Sequence, residues 1–570
     1  MVDNRTVSAV HRAADAPPGE PLGGRPTLVP AIAVRGAHGA VTSPHALATA
    51  AGVGVLRAGG SAVDAAIATN AALSVVCSYM CGLGGDAFWL IWTPERGAEA
   101  LNGSGRSAAA VTIERARAAG LERMPERGPW TVTVPGAIRS WGDAHRRYGR
   151  LPWPDLLAPA IELADGFAAS PTWCTAIERA ALIFGTASDW ARVFRPHGRA
   201  WRTGEVVRIS PLAATLRRLA ADGPDDAYDG ALARRAADYL ASAGSLLTGD
   251  DLADHTSRWG TPLRVAYRDV EATSHPPNSS GAIALELLQV LARFDAPQAT
   301  AFGPHGVAEL RWVHLALEAA RLTLRDRDAW LTDPAAMAEG ALERLLDPRH
   351  AAELAGQVDQ GRATPPPSVA APHGGGTVYL ATADAAGGAV SLIESNYAGF
   401  GSGLVDPETG IAYQNRGAFF SLDARHANAL APRKRTMHTL APGMLLRAGQ
   451  PWIVHGSMGG EIQPQVFAQF VSAVVDGRRA IADAVAAPRF AADVERHYGP
   501  PSVTRLEGGM LPQLGEGLAA LGHQVTWTPP FSSAFGHEHA IELVRDEGRA
   551  LPTSFVATAD PRSEGLPGAW

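Results

Sequence analysis

The chain has almost no lysine. Lys434 is the only one among 50 lysine and arginine residues, so a Schiff-base mechanism has a single candidate, with nothing nearby to support it. The arginine bias reads as coding composition, not function. Cysteine is scarce too: Cys77, Cys81 and Cys174 in 570 residues imply no disulfide framework. Cys77 and Cys81 lie in an apolar segment and read as buried thiols, because a metal pair would need further ligands at suitable spacing. No apolar run reaches the roughly 20 residues of a membrane span. The first 30 residues are polar, with prolines and glycines and no continuous apolar core. They read as a disordered arm, not a signal peptide, and the expected location is cytoplasmic. The net charge of −7 argues against nucleic acid or an anionic membrane as partner. The length is ample for a large buried core.

What the chain does have is a run where three glycines meet a threonine, Gly374-Gly375-Gly376-Thr377. The strand-like Val378-Tyr379-Leu380-Ala381-Thr382-Ala383-Asp384 follows. A turn at Gly387-Gly388 leads to a second such run, Ala389 to Ser395, which passes into Asn396-Tyr397-Ala398-Gly399-Phe400-Gly401-Ser402-Gly403. Two readings fit these residues. One is an ordinary hairpin after a flexible loop. The other is a cut site. A threonine within a chain is a poor nucleophile, but once the peptide before it is broken its own α-amine can serve as base for its hydroxyl. Gly375 and Gly376 would admit the strained backbone that an N-to-O acyl shift requires. The Pro- and Gly-rich stretch 363–376 reads as a mobile connector leading to that site.

The longer stretch from Thr377 through Gly403 to Gly410-Ile411-Ala412-Tyr413-Gln414-Asn415-Arg416-Gly417 resembles the start of the small subunit of the γ-glutamyltransferase family, which are self-cleaving N-terminal-nucleophile hydrolases. Three other blocks agree with this in the family's order. They are Ala48 to Ala66, with Gly59-Gly60-Ser61 and Asp64, then Gly82-Leu83-Gly84-Gly85-Asp86, then Gly456-Ser457-Met458-Gly459-Gly460. The resemblance runs from about Ala31 to Arg562. It implies an α+β fold, a four-layer αββα sandwich of two antiparallel sheets flanked by helices. It also implies a precursor cut between Gly376 and Thr377. Residues 31–376 would form the large subunit and 377–570 the small one, sharing one core after the arm of residues 1–30. No cofactor and no metal are implied. The partners would be a small-molecule acyl donor and water or an amine as acceptor, with a higher oligomer left open.

The same resemblance assigns roles. Thr377 is the nucleophile, and Gly459-Gly460 supply oxyanion-hole N–H groups, each such donor typically worth roughly 2.7–4 kcal/mol in the transition state. Ser395 stands where relatives carry a threonine that hydrogen-bonds the nucleophile. The acyl pocket departs from the pattern. Arg106 falls near the arginine that holds an α-carboxylate, in a changed setting. His438-Thr439 replace a Ser-Ser pair. Tyr397 replaces an asparagine that contacts the ammonium, although Asn396 is adjacent. Arg416, after Asn415, and Phe419 occupy places usually given to Gln or Glu and to Asp. Arginine beside an ammonium repels it, so γ-glutamyl compounds are expected to be poor substrates. An acyl group ending in a carboxylate or a 2-oxo-acid suits Arg106 and Arg416 better. The segment from Phe420 to Arg433 is short, which implies that the lid of some relatives is missing.

Several readings stay open on the residues alone. The enzyme cleaves an amide through an acyl-enzyme on Thr377, or is a genuine γ-glutamyltransferase acting on glutathione. It could also be a carbon–carbon hydrolase releasing a 2-oxo-acyl group, or a scaffold without catalysis. Elsewhere the pattern predicts helices over Ala46–Arg57 and from a Ser61/Asp64 capping box to Val76, then a buried strand over Ala87–Trp92. Asn278 or Ser279 is expected to cap a helix. Arg311–Trp330 is amphipathic, with His314 and Glu318 on one face as structural hydrogen-bonding groups, and Asp326-Arg327-Asp328 is expected to end it. Gly536-His537-Glu538-His539 reads as a loop near a sheet end and not as a metal site.

Overall fold

The computed structural model describes residues 32–364, 376–492 and 503–570. The expected N-terminal arm, the triple proline, Gly374 and Gly375 lie outside the described residues. Two seven-stranded sheets carry the fold. Counting only their strands in chain order, the residues before Thr377 give β1 (Ala33–Gly36), β2 (Gly39–Thr42), β3 (Asp86–Thr93), β4 (Gly97–Gly103), β5 (Arg258–Gly260), β6 (Leu263–Tyr267) and β7 (Val270–Ser274). From the glycine before it onward come β8 (Gly376–Asp384), β9 (Ala389–Tyr397), β10 (Gly443–Arg447), β11 (Gln450–Ser457), β12 (Glu538–Val544), β13 (Ser554–Thr558) and β14 (Gly568–Ala569). One sheet has the order β1-β13-β12-β11-β10-β7-β6 and the other β14-β2-β8-β9-β3-β4-β5, so each mixes strands from both sides of the Gly376–Thr377 bond.

The period of two in β8 and β9 decides the layering. Tyr379 and Ala381 of β8 and Ile393 of β9 join Phe88 and Leu90 of β3 on the inner face. There they meet Met444, Val454, Ile541 and Phe555 of the other sheet. The alternate residues Val378, Leu380, Val390 and Leu392 face outward into a helical cluster. Both faces are covered, which is why these strands read as near-continuous apolar runs.

Helices α1 (Ala46–Arg57) and α2 (Ala62–Val76) cover that outer face. The capping box of Ser61 and Asp64 starts α2, whose 15 residues are all buried. Over the other sheet lie α3 (Gly281–Leu291), α4 (Leu310–Trp330), α5 (Pro348–Gln357) and α6 (Gln463–Val475). Their Leu285, Leu317, Ala351 and Val471 share a core with Leu445, Ile453 and Ala540 of β10, β11 and β12. The result is helix, sheet, sheet, helix.

Three local expectations change. The residue before α3 is Ser280, with no side-chain cap. Ser279 Oγ instead accepts from Gly281 N–H at 2.9 Å and donates to the Leu440 carbonyl at 2.5 Å, because the segment is tied to the His438–Leu440 run. Helix α4 continues past Asp328 to Trp330. Glu538 and His539 begin β12 instead of lying in a loop, since they pair with Ser457 and Gly456 of β11.

Candidate active site

Thr377 opens the site near the start of β8, on the same side of the strand as Tyr379, and is only 3% exposed. The ladder is irregular there. Its register shifts between Gly376 and Thr377, and opposite Gly376 the bulky Tyr397 takes φ 72°, a left-handed conformation that costs a side-chain-bearing residue energy. Gly376 is in tight quarters: a Cβ would lie 3.0 Å from the Ala398 carbonyl and 3.1 Å from that of Met80.

Ser395 sits directly opposite Thr377 in the β8–β9 ladder. Its Oγ accepts a hydrogen bond from the Thr377 hydroxyl at 3.0 Å and donates to the Gly376 carbonyl at 2.6 Å. It also accepts from Tyr397 N–H at 2.8 Å and from Arg416 Nη2 at 3.0 Å. One hydroxyl thus touches the candidate nucleophile, the carbonyl before it and a guanidinium.

Arg416 is 1% exposed, at the head of a short 3-10 turn, Arg416–Phe419. Its Nη1 donates to Thr439 Oγ1 at 3.1 Å, and its Cζ lies 4.5 Å from the centre of the Tyr397 ring and 5.4 Å from that of Phe419. Among the described residues no carboxylate forms an ion pair with it, and its Nε has no partner. Burial lowers Arg416 to about 10, which leaves it cationic at neutral pH. A buried, unpaired guanidinium is costly unless something anionic meets it.

Sequence reasoning gave no role to Asp86, which completes the row. It stands directly opposite Ser395 in the β9–β3 ladder, so Thr377, Ser395 and Asp86 share one register across three strands. Asp86 Oδ1 accepts from Gly105 N–H at 3.2 Å and Gly136 N–H at 3.3 Å, and Oδ2 faces His438 Nε2 at 3.3 Å. Burial pushes Asp86 up to about 7, against the pull of Arg416 and the two amides. Burial, then Arg416 and His275, hold His438 well below the usual imidazole range, so it is neutral. The only signal for Asp86 in the sequence was its place in Gly82-Leu83-Gly84-Gly85-Asp86. There the glycine spacing is spatial: a Cβ on Gly85 would lie 2.8 Å from Glu394 Oε1 and 3.0 Å from the Ser395 carbonyl.

Gly459 and Gly460 follow β11, which packs on β8 so closely that a Cβ on Gly456 would lie 2.4 Å from the Tyr379 ring. Gly459 takes φ 144° and Gly460 φ 59°. The turn is anchored from behind by a buried ion pair of Glu461 with Arg327 of α4. Gln463 Oε1 accepts from Ala441 N–H at 3.0 Å, which ties the turn to the run that carries Thr439.

The remaining expected residues lie apart from this cluster. Asn396, next to Ser395 in an extended strand, turns its side chain to the other face, where its amide meets the Gly82–Gly85 turn. Asn415 accepts from Ala398 N–H and donates to the Glu126 carbonyl, a bracing role. Arg106 lines a separate cavity of about 120 Å³ with Ser107, Asp251, His255 and Arg433. Cys77 and Cys81 are buried free thiols. No helix among the described residues is long and apolar enough to cross a membrane.

A helix–sheet–sheet–helix sandwich with a threonine at the head of a central strand is the layout of an N-terminal-nucleophile hydrolase. The gamma-glutamyltranspeptidase family model matches residues 48–570, and the chain belongs to that family. It is 38% identical to the glutathione hydrolase-like YwrD proenzyme of Bacillus subtilis, over 92% of this chain and 97% of that one. It is 37% identical to the oxamate amidohydrolase proenzyme of Klebsiella pneumoniae, over 93% and 98%. Among solved structures, the cephalosporin acylase from Bacillus halodurans superposes with a TM-score of 0.85 at 35% identity, covering 98% of this chain and 99% of that one.

Proposed function

We propose that this protein is a self-processing threonine hydrolase that cleaves amides whose acyl group carries a carboxylate close to the scissile carbonyl. The observation that carries the reading is Arg416: a buried guanidinium with no ion-paired carboxylate among the described residues, linked to Thr377 Oγ1 by two hydrogen bonds of 3.0 Å through Ser395. The proenzyme names of the relatives support processing.

Maturation follows from the same contacts. Thr377 Oγ attacks the Gly376 carbonyl carbon while Ser395 steadies the carbonyl oxygen. The C–N bond breaks, giving an ester on Thr377 and a free α-amine. Water then hydrolyses the ester, leaving a carboxylate on Gly376 and an N-terminal threonine whose amine is the base for its own hydroxyl. In turnover that hydroxyl attacks the substrate carbonyl, the oxyanion rests on Gly459 and Gly460 N–H groups, the amine leaves, and water or another amine takes the acyl group.

Charge ranks the acyl groups. In a γ-glutamyl group an ammonium sits beside the carboxylate, and Arg416 repels that ammonium. An oxamate-like acyl, with its carboxylate on the scissile carbonyl, fits better, and a relative named oxamate amidohydrolase supports this order. The rival, a glutathione hydrolase, is favoured by the relative at 38% identity and by a carboxylate, Asp86, near Arg416. Against it, the oxygens of Asp86 are already engaged by two amides and His438.

The test is intact mass of the wild type beside Thr377→Ala, then oxalyl (oxamate-type), glutaryl and γ-glutamyl amides assayed in parallel. Two fragments meeting at Gly376/Thr377, an uncut variant and preference for the oxalyl amide are expected. An uncut, inactive wild type rejects the nucleophile, and a γ-glutamyl preference rejects the role given to Arg416.

A further inference from the structure

The outer helices over the first sheet bury a cluster that the active site does not use. Glu286 of α3, Asp326 of α4 and His350 of α5 each place one donor atom within 4.8 Å of the others. Glu286 has no exposed surface, and among the described residues neither of its carboxylate oxygens takes part in a hydrogen bond. His350 Nε2 lies 3.4 Å from Oε1. The same nitrogen lies 2.6 Å from Asp326 Oδ2. Arg325, half exposed, approaches Asp326 Oδ1 only to 3.7 Å. Two buried carboxylates thus converge on one imidazole nitrogen, a donor set whose negative charge is balanced either by a proton on His350 or by a bound cation. The other imidazole nitrogen, Nδ1, faces Glu353 Oε2 at 3.5 Å, the kind of outer carboxylate that orients a metal-bound histidine.

We propose that Glu286, Asp326 and His350 bind a divalent transition-metal cation that cross-links α3, α4 and α5. Two carboxylates and an imidazole suit Zn²⁺ or Mn²⁺; calcium prefers oxygen alone and copper(I) prefers sulfur. The other buried histidine and carboxylate group, His314, Glu318 and His523, differs in kind. His314 bonds to His523 and to the Asp359 carbonyl, at 2.8 Å each. Glu318 pairs with Arg321 at 2.5 Å and accepts Thr364 N–H at 2.9 Å. Arginine already supplies the positive charge there. At the proposed site the cation has a structural consequence. Asp326 precedes Arg327, the partner of Glu461 beside Gly460, so the ion would fix the end of α4 that anchors the candidate oxyanion turn.

The experiment uses full-length, tag-free protein. Metal content is measured as purified, and Zn²⁺ and Mn²⁺ are titrated calorimetrically into chelator-treated protein. One cation per chain, bound in the micromolar range or tighter, is expected, with a rise in melting temperature on adding it. Glu286→Gln and His350→Gln are expected to weaken binding by roughly 100-fold or more. Should either variant fail to fold, anomalous diffraction at the zinc edge of wild-type crystals locates the ion. The proposal is overturned if the wild type binds neither ion stoichiometrically, if both folded variants keep wild-type affinity, or if the ion sits elsewhere. The cluster is then held by shared protons alone.

Discussion

The hydroxyl of Ser395 stands between the two partners of one bond: it lies 3.0 Å from Thr377 Oγ1 and 2.6 Å from the carbonyl oxygen of Gly376. It can steady that oxygen during self-cleavage and orient the threonine hydroxyl afterwards. Ser395→Ala should therefore slow both cleavage and turnover, by about 10²–10³-fold if it removes one oxyanion-type donor. Ser395→Thr, which keeps the hydroxyl, should restore both. Fragment mass followed over time reads cleavage, and a cut rate equal to wild type in Ser395→Ala would exclude this role.

Arg416 should discriminate by charge. Removing one partner of a buried charge pair costs about 2–5 kcal/mol, or roughly 30- to several-thousand-fold in kcat/KM. Arg416→Gln should impose that loss on an acyl group ending in a carboxylate and far less on a neutral acyl group of similar size. Arg416→Lys should fall between, because it keeps charge but loses the fork that reaches both Ser395 and Thr439. An equal loss for both substrates would make Arg416 a packing residue.

The row of three residues shows what the chain's order reveals and what it hides. Thr377 and Ser395 were legible together through the family resemblance, and the hairpin that holds both sets them directly opposite each other. The layers were legible only through resemblance, since a strand buried on both faces looks like any apolar run. Asp86 was not legible as a partner. It comes from a strand nearly 300 residues earlier, and only the β9–β3 ladder brings it opposite Ser395. Asn396 and Arg416 show the same limit. The first was given to the pocket by adjacency and turns away, whereas the second was read from its charge and does meet Ser395. The anchor of Glu461 on Arg327 joins a helix and a turn that no local pattern relates.

That anchor gives a prediction of its own. Arg327 and Glu461 are both buried, and removing one partner leaves an uncompensated charge, at a cost of about 3–5 kcal/mol. Arg327→Met should lower the thermal midpoint and, in the fraction that still folds, lower kcat more than it raises KM, because the turn at Gly459 and Gly460 loses its support. A destabilised variant with unchanged kcat would separate the pair from any catalytic part of the Gly459–Gly460 turn.

Asp86 predicts a pH dependence with a definite sign. Its folded value is raised from 3.8 to about 7 by burial, so the folded protein holds this proton more tightly than the unfolded chain. The group's contribution to stability is fully present below about pH 4 and is lost as the pH rises toward 7, by up to about 1.4 kcal/mol per unit. Glu394 is raised to about 8, mainly by burial and in small part by the Asp86 charge, and acts in the same direction, so the useful quantity is the difference from Asp86→Asn, which removes the Asp86 contribution together with its effect on Glu394. The wild type should lose denaturation midpoint relative to Asp86→Asn between about pH 4.5 and 7, and level off above. Substrate binding should follow, since an ionised Asp86, without touching Arg416, weakens the positive field that a substrate carboxylate meets there. KM for a carboxylate-ended amide should rise above about pH 7 in the wild type and stay flat in Asp86→Asn. Parallel KM profiles in the two proteins would mean that Asp86 does not sense the substrate and serves only to pin Gly105 and Gly136.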